Sequence, residues 1–163
     1  MRNLIILSFI AVCSICISCN SKSGGVSAAA KKNLEVNDAI MKAYEAGDFA
    51  KMGDYIATDA VDHGGETGDV AGLDSIVASM KRYHAAMPDM KSTMTRSLAD
   101  DEFVYTWATM SGTMNGQKMN MSSVDVSKFK DGKAVEHWIY MDPKDMAMMM
   151  QPPPPADSTK VPH

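Results

Sequence analysis

The chain has 163 residues, with 16 basic against 20 acidic side chains, a formal net charge of −4 and 3 cysteines. Without a basic surplus nothing marks a nucleic-acid surface, and no nucleic-acid partner is expected. Cys13, Cys16 and Cys19 all precede the body of the chain, which therefore has no disulfide, zinc–thiolate site or cysteine nucleophile to offer.

Arg2 opens a short positive segment, and Leu4 to Ile17 form an apolar run that stops at Ser18-Cys19-Asn20. The run is shorter than the roughly 20 residues that cross a bilayer, so it reads as a secretory signal. A signal ending at a cysteine resembles a bacterial lipoprotein signal, although Cys16 stands where that family usually has leucine. The resemblance implies a signal peptide over 1–18 and a lipidated Cys19 holding the mature chain to a membrane. The chain would then reside in the cell envelope, on the periplasmic or outer-surface side. A plain signal peptide cleaved nearby is the alternative. Residues 19–28 are Ser/Gly/Lys-rich, as a flexible tether requires.

The folded domain is expected over 29–147. From Ala29 to Ala46, Leu34, Val36, Ala39, Ile40, Ala43 and Tyr44 recur at helical spacing, and Gly47 ends the run. Asp48 is placed to cap a short second helix through Tyr55. Asp59 to Asp69 reads as an irregular polar stretch. A third helix begins near Gly72 or Asp74 and ends before Pro88. Strand chemistry follows: Lys91 to Leu98, Glu102 to Met114, Gln117 to Phe129 and Ala134 to Met141. Asn115-Gly116 and Lys130-Asp131-Gly132 separate the last three, supplying the positive φ that hairpin turns need. Strands of this length twist and curl. Helices followed by a curled antiparallel meander predict an α+β fold with the helices on one sheet face. Through its proline run, 148–163 reads as a disordered tail.

Register decides which side chains meet. A two-residue Asn115-Gly116 turn sets Thr106 opposite Asp125 and Met110 opposite Met121. At the next turn, a three-residue Lys130-Asp131-Gly132 loop would set His137 opposite Asp125; a two-residue loop would set Trp138 there. The hydrophobic pattern selects the three-residue loop, because it gathers Val104, Ala108, Met110, Met119, Met121, Phe129, Val135, Ile139 and Met141 on one face. Thr106, Asp125 and His137 then form a polar row across an apolar, methionine-rich concave surface, the usual make-up of a small-molecule pocket.

"FKDGKAVEHWIYMD", preceded by "SSVDVSKF", "SGTMNG", "AAMPDM" and "AVDHGG", resembles the SnoaL-like polyketide cyclase group of the nuclear transport factor 2-like (NTF2-like) superfamily over about residues 31 to 142. The resemblance implies a cone-shaped α+β barrel, N-terminal helices packed on a curved antiparallel sheet around a hydrophobic cavity, commonly as a homodimer. It also implies an acid/base pair that moves a proton from an activated carbon to a carbonyl oxygen. The family's catalytic aspartate falls on Ile139, which moves no proton. His63 falls where the family has a histidine at the cavity mouth.

Asp125 and His137 are the candidate catalytic pair, a carboxylate orienting an imidazole of near-neutral basicity. A cross-strand pair that only satisfies two core polar groups is the alternative. For His63, catalysis, substrate contact and a loop-stabilising hydrogen bond all stand. Thr106, Met110, Met121, Ile139 and Met141 are candidate ligand-binding residues; Asp89 is a weaker one, since a turn or cap role suits it as well. Neither a metal nor another cofactor is expected. No His-x-x-x-His spacing occurs, and Met146 with Met148 to Met150, though similar to soft copper-binding clusters, reads better as a flexible apolar segment. Three functions are consistent with these residues. One is a lipid-anchored carrier of a small hydrophobic molecule, the next a cyclase- or isomerase-like enzyme. The third is an interaction module using Tyr105, Trp107, Trp138 and Tyr140.

Overall fold

The computed structural model describes residues 25–65 and 68–149. The expected signal peptide, Cys19 and almost all of the expected tail lie outside the described residues. Helix α1 (Ala28–Ala46) begins where Ser27 accepts a hydrogen bond from the Ala30 N–H at 3.0 Å. It ends at Gly47, whose φ of 68° lets its N–H turn back onto the Ala43 and Tyr44 carbonyls. One face of α1 buries Ala30, Asn33, Val36 and Asn37. The two buried amides are satisfied across the layer: Asn33 donates to the Asp100 and Asp101 carbonyls, and Asn37 donates to Thr106 and accepts from Ser127.

The second helix is shorter than expected. Asp48 accepts the Ala50 N–H and so closes a turn, and α2 runs only over Met52–Tyr55. The chain then enters strand β1 (Ile56–Asp62), which corrects the loop expected from Asp59 onward. Its polar residues hid it: Thr58, Asp59 and Asp62 break the alternation that announces a strand, and only Ile56 and Ala60 are buried. Strand β2 (Val70–Ala71) pairs antiparallel with β1. Helix α3 (Leu73–Ala86) follows Gly72, and Pro88 bars its continuation.

Strands β3 (Lys91–Ala99), β4 (Phe103–Met114), β5 (Gln117–Lys130) and β6 (Lys133–Met141) match the expected meander. A terminal helix α4 (Pro143–Met149) was not expected and crosses the boundary drawn at 147/148. The sheet order is β2-β1-β6-β5-β4-β3, with β1 parallel to β6 and every other pair antiparallel. The sheet is curved and stays open, β2 and β3 being its edges, and the helices lie against its concave face. It is α+β as expected, with one parallel pair that the sequence pattern did not reveal.

Register holds at the first hairpin, with Thr106 opposite Asp125 and Met110 opposite Met121 around an Asn115-Gly116 turn of φ 52° and 78°. At the second it differs. Asp131 and Gly132 (φ 53° and 78°) form a two-residue turn, Lys130 pairs with Lys133, and the extra residue appears later, where Val135 is skipped between Ala134 and Glu136. Ile139 is therefore opposite Asp125, and His137 is opposite Ser127. The bulge restores the parity that the three-residue loop would have supplied, so Asp125, His137 and Ile139 still share the concave face. Ala134, not Val135, takes the buried place opposite Phe129.

The core has two parts. Val36, Met52, Ile56, Ile76, Val104 and Phe129 pack between helices and sheet, and Met87, Met90, Met114, Met119 and Met121 form a methionine cluster. On the convex face Tyr105, Trp107, Val124 and Tyr140 remain exposed.

Candidate functional site

Between these layers lies a cavity of about 220 Å³ with mainly apolar walls. Ile40, Met41, Tyr44, Met80 and Tyr83 reach it from the helices, and Met110, Met114, Met121, Ile139 and Met141 from the sheet. Unbranched thioethers let such a wall adapt to its contents. Of the expected residues, Thr106, Met110, Met121, Asp125, His137, Ile139 and Met141 all line the cavity. Thr106 is committed to the fold, however: it is buried, accepts from Asn37 at 3.2 Å and shares a hydrogen bond with Ser97 at 3.3 Å.

His137 lies between two carboxylates. Its Nδ1 is 3.0 Å from Asp62 Oδ1, and its Nε2 is 3.4 Å from Asp125 Oδ1. The Asp125 contact is diagonal, one cross-strand pair away, as the β6 bulge dictates. Asp62 closes β1 directly beside His137 in the parallel pair, and its Oδ1 also accepts the Gly64 N–H at 3.0 Å. Asp125 is held from its other side by the Ser123 hydroxyl, which donates to Oδ2 at 2.7 Å. The cavity leaves 34% of the His137 side chain accessible, against 25% for Asp62 and 17% for Asp125.

Burial works against a charged imidazole, but hydrogen bonds to Asp125 and Asp62, together with their charges, outweigh it and hold His137 up to about 9. For Asp62 burial again opposes the charge, and the His137 hydrogen bond and positive charge prevail, keeping the carboxyl below its ordinary value. At neutral pH the group is thus an imidazolium between carboxylates. This corrects the near-neutral base expected of His137: both ring nitrogens are donors, and proton acceptance falls to a carboxylate. Tyr44 lines the same cavity, and burial, Tyr83 and Asp62 push its hydroxyl up to about 12, so it remains a hydrogen-bond donor.

Two expected residues stand elsewhere. Asp89 does not line the cavity; it accepts from the Thr113 N–H at 2.7 Å and hydroxyl at 2.8 Å, tying the turn after α3 to the end of β4. His63 lies beyond the cavity, with its ring stacked on Trp138 at 4.8 Å between centroids and 14° between planes. Its nitrogens face Asp69 at 3.1 Å and Glu136 at 3.4 Å. Conversely, Asp62 was missed. The signal was present in "AVDHGG", but with β1 read as loop no register existed to turn Asp62 inward and its neighbour outward.

Among the described residues, no group of three or more His, Cys, Asp or Glu side chains is placed to hold a metal ion. No described helix is long and apolar enough to cross a membrane.

The sequence model of the SnoaL-like polyketide cyclase family matches residues 34–151. Among solved structures, wild-type IdmH from Streptomyces antibioticus is similar at 24% identity, covering 71% of this chain and 96% of that one with a TM-score of 0.62. A SnoaL-like protein from Jannaschia sp. CCS1 aligns over 80% of this chain and 99% of that one at 13% identity and a TM-score of 0.70. An LEH-like epoxide hydrolase of M. tuberculosis aligns over 73% and 89% at 18% identity and a TM-score of 0.64. Among curated proteins, none matches the sequence. At these identities the neighbours speak for the fold alone.

Proposed function

The chain belongs to the SnoaL-like polyketide cyclase family, and from that premise we propose that it binds a compact, mostly apolar carbonyl compound and moves a proton on it. The observation that carries this reading is the Asp62–His137–Asp125 row, a charged group set into the wall of an otherwise apolar cavity. Perturbed titratable groups gathered in such a cleft mark a reaction site. At about 220 Å³ the space is below the roughly 300–1,000 Å³ of drug-sized ligand pockets, which favours a small substrate.

In the proposed chemistry Asp125 takes the proton from the carbon beside the carbonyl. The C–H electron pair moves into the new C=C bond, and the carbonyl pair moves to oxygen. The Tyr44 hydroxyl donates to that oxyanion, a contact stronger in the transition state than in the ground state. His137 holds the two aspartates apart in charge and orients Asp125. The proton then returns from Asp125 to another carbon, completing an isomerisation; or the enolate carbon attacks a second carbonyl, the first C=O re-forms, the second carbonyl's pair moves to its oxygen, and that alkoxide takes the proton from Asp125 as the ring closes. The names of the structural neighbours include polyketide cyclases, an LEH-like epoxide hydrolase and a hydroxylase.

A carrier without chemistry is the second reading, favoured by Ile139 at the position of the family's catalytic aspartate. Copurifying small molecules identified by mass spectrometry, then incubated with protein in D2O, separate the two. The enzyme reading expects deuterium at the carbon beside the carbonyl with wild type and none with Asp125→Asn. A ligand that binds both proteins and stays unlabelled makes this a carrier.

The expected anchor and second copy belong to the same proposal: a lipidated Cys19 in the cell envelope, and a homodimer across the face bearing Trp107 and Tyr140, which are 54% and 61% exposed. Loss of membrane partitioning in Cys19→Ser checks the first, and sedimentation of Trp107→Ser the second.

A further inference from the structure

Asp62 and His63 are neighbours in the chain at the end of β1, and they face opposite sides of the sheet. Asp62 reaches inward to His137 at 3.0 Å. His63 stacks outward on Trp138, the residue after His137, and pairs with Asp69 and Glu136. The backbone joins the two sides, because the His63 N–H donates to the His137 carbonyl at 2.8 Å. The turn beyond is pressed on β6 at Gly64, where a Cβ would lie 2.7 Å from Ile139 Cγ2, and is tight within itself at Gly65, where a Cβ would lie 2.3 Å from the Gly68 carbonyl oxygen.

We propose that His63 is a positioning residue: from the outer face it pins the end of β1 to β6 and thereby sets the Asp62 carboxylate against His137. Its consequence for turnover rests on the acid/base reading of the cavity; its effect on geometry does not. Three side chains hold the His63 ring. Trp138 covers one face, Asp69 comes from the turn and Glu136 from β6. Glu136 is itself paired with Lys128 at 3.0 Å, Lys128 lies 3.7 Å from Glu102, and the neighbouring Asp62 carboxylate also feels the charge of the ring. With the ring removed, the His63 N–H bond to the His137 carbonyl, the pairing of Asp62 with Val70 and the Gly64 N–H bond to Asp62 remain, but the end of β1 loses its side-chain brace to β6 and the Asp62 carboxylate is held less closely to the imidazole.

The sign of the effect separates position from charge. If His63 acts only as a cation, removing it relieves a positive neighbour and His137 titrates higher. If it acts by position, His137 loses its Asp62 partner and titrates lower.

The test is an NMR titration of both imidazole rings in the full chain. In His63→Ala the His137 titration is expected to fall by about one pH unit, and in Asp62→Asn by about one to two. In the Asp62→Asn background, His63→Ala should add nothing further. Asp69→Asn, which alters only an exposed partner, guards against a misfolded His63 variant: the His63 ring should titrate lower, and His137 should follow in the same direction by a smaller amount. An unchanged or raised His137 titration in His63→Ala overturns the proposal, as does an undiminished shift in the Asp62→Asn background. Deuterium labelling by Asp125→Asn is read separately, so failure of the catalytic reading leaves a distinct trace.

Discussion

Two histidines on opposite faces of the same strands each sit between two carboxylates, and they behave differently. Inside, His137 meets Asp62 and Asp125 in the cavity wall; outside, His63 meets Asp69 and Glu136 under solvent. Asp69 is 62% exposed, whereas Asp125 is 17% exposed. The partner types are the same, and the exposure of the carboxylates is the variable; the rings themselves differ the other way, 26% for His63 and 34% for His137. Water around the outer pairs weakens the attraction and supplies alternative partners. Around the inner pairs there is little to replace a lost partner, so each charge depends on the others.

The largest break in this comparison is His137→Leu. It leaves Asp62 and Asp125 without the cation between them. Removing one member of a fully buried pair costs about 3–5 kcal/mol; with a third of the ring open to the cavity, a loss of about 3 kcal/mol is expected at pH 7. Urea unfolding should show it as a lower midpoint with an unchanged slope. Lowering the pH should recover part of it, because one aspartate then carries a proton. A variant as stable as wild type at pH 7 would mean that the inner carboxylates do not depend on the ring.

The next effect is on pH. His137 is raised from 6.5 to about 9 in the fold, so its contribution is fully present below 6.5 and is lost as the pH rises through 9. Asp62 is depressed below 3.8, so its contribution is present above 3.8 and is lost as the pH falls through the lower folded value. Stability from this pair is therefore greatest between about pH 4 and 6.5. The alkaline loss is on the order of 2 kcal/mol, reduced for the solvent that reaches the ring. Denaturation midpoints across pH 5 to 10 check it, and the decline should vanish in His137→Leu.

Much of this site was legible because strand parity survives small errors in loop length. The hydrophobic pattern put Asp125, His137 and Ile139 on one face, and the Val135 bulge achieved with one extra residue what a longer turn would have done. The partner of His137 was harder to see. Asp62 lies 75 residues away on a strand whose parallel pairing leaves no local sign, since the hairpin turns that gave the other registers have no counterpart there. Asp89 and His63 were placed by motif alone. Motif order cannot say whether a side chain turns toward the cavity, and in both cases the backbone turns it away.

The smallest effect is on the outer face, and salt is the way to see it. The His63, Glu136, Lys128 and Glu102 contacts lie within reach of solvent ions, and their contribution should fade as ionic strength rises from low salt toward 1 M, where the Debye length shrinks to about 3 Å. The inner row is shielded by the layers around it. In a double-mutant cycle, the coupling of His63 with Glu136 should therefore diminish with salt, while that of His137 with Asp62 should hold. The two cycles share strand β6 and differ in the face they probe, which removes the fold as an explanation. Equal salt sensitivity in both would mean that water and ions enter the cavity as freely as they reach the outer face. The raised titration of His137 would then rest on its hydrogen bonds to Asp125 and Asp62, with the attraction of their charges screened.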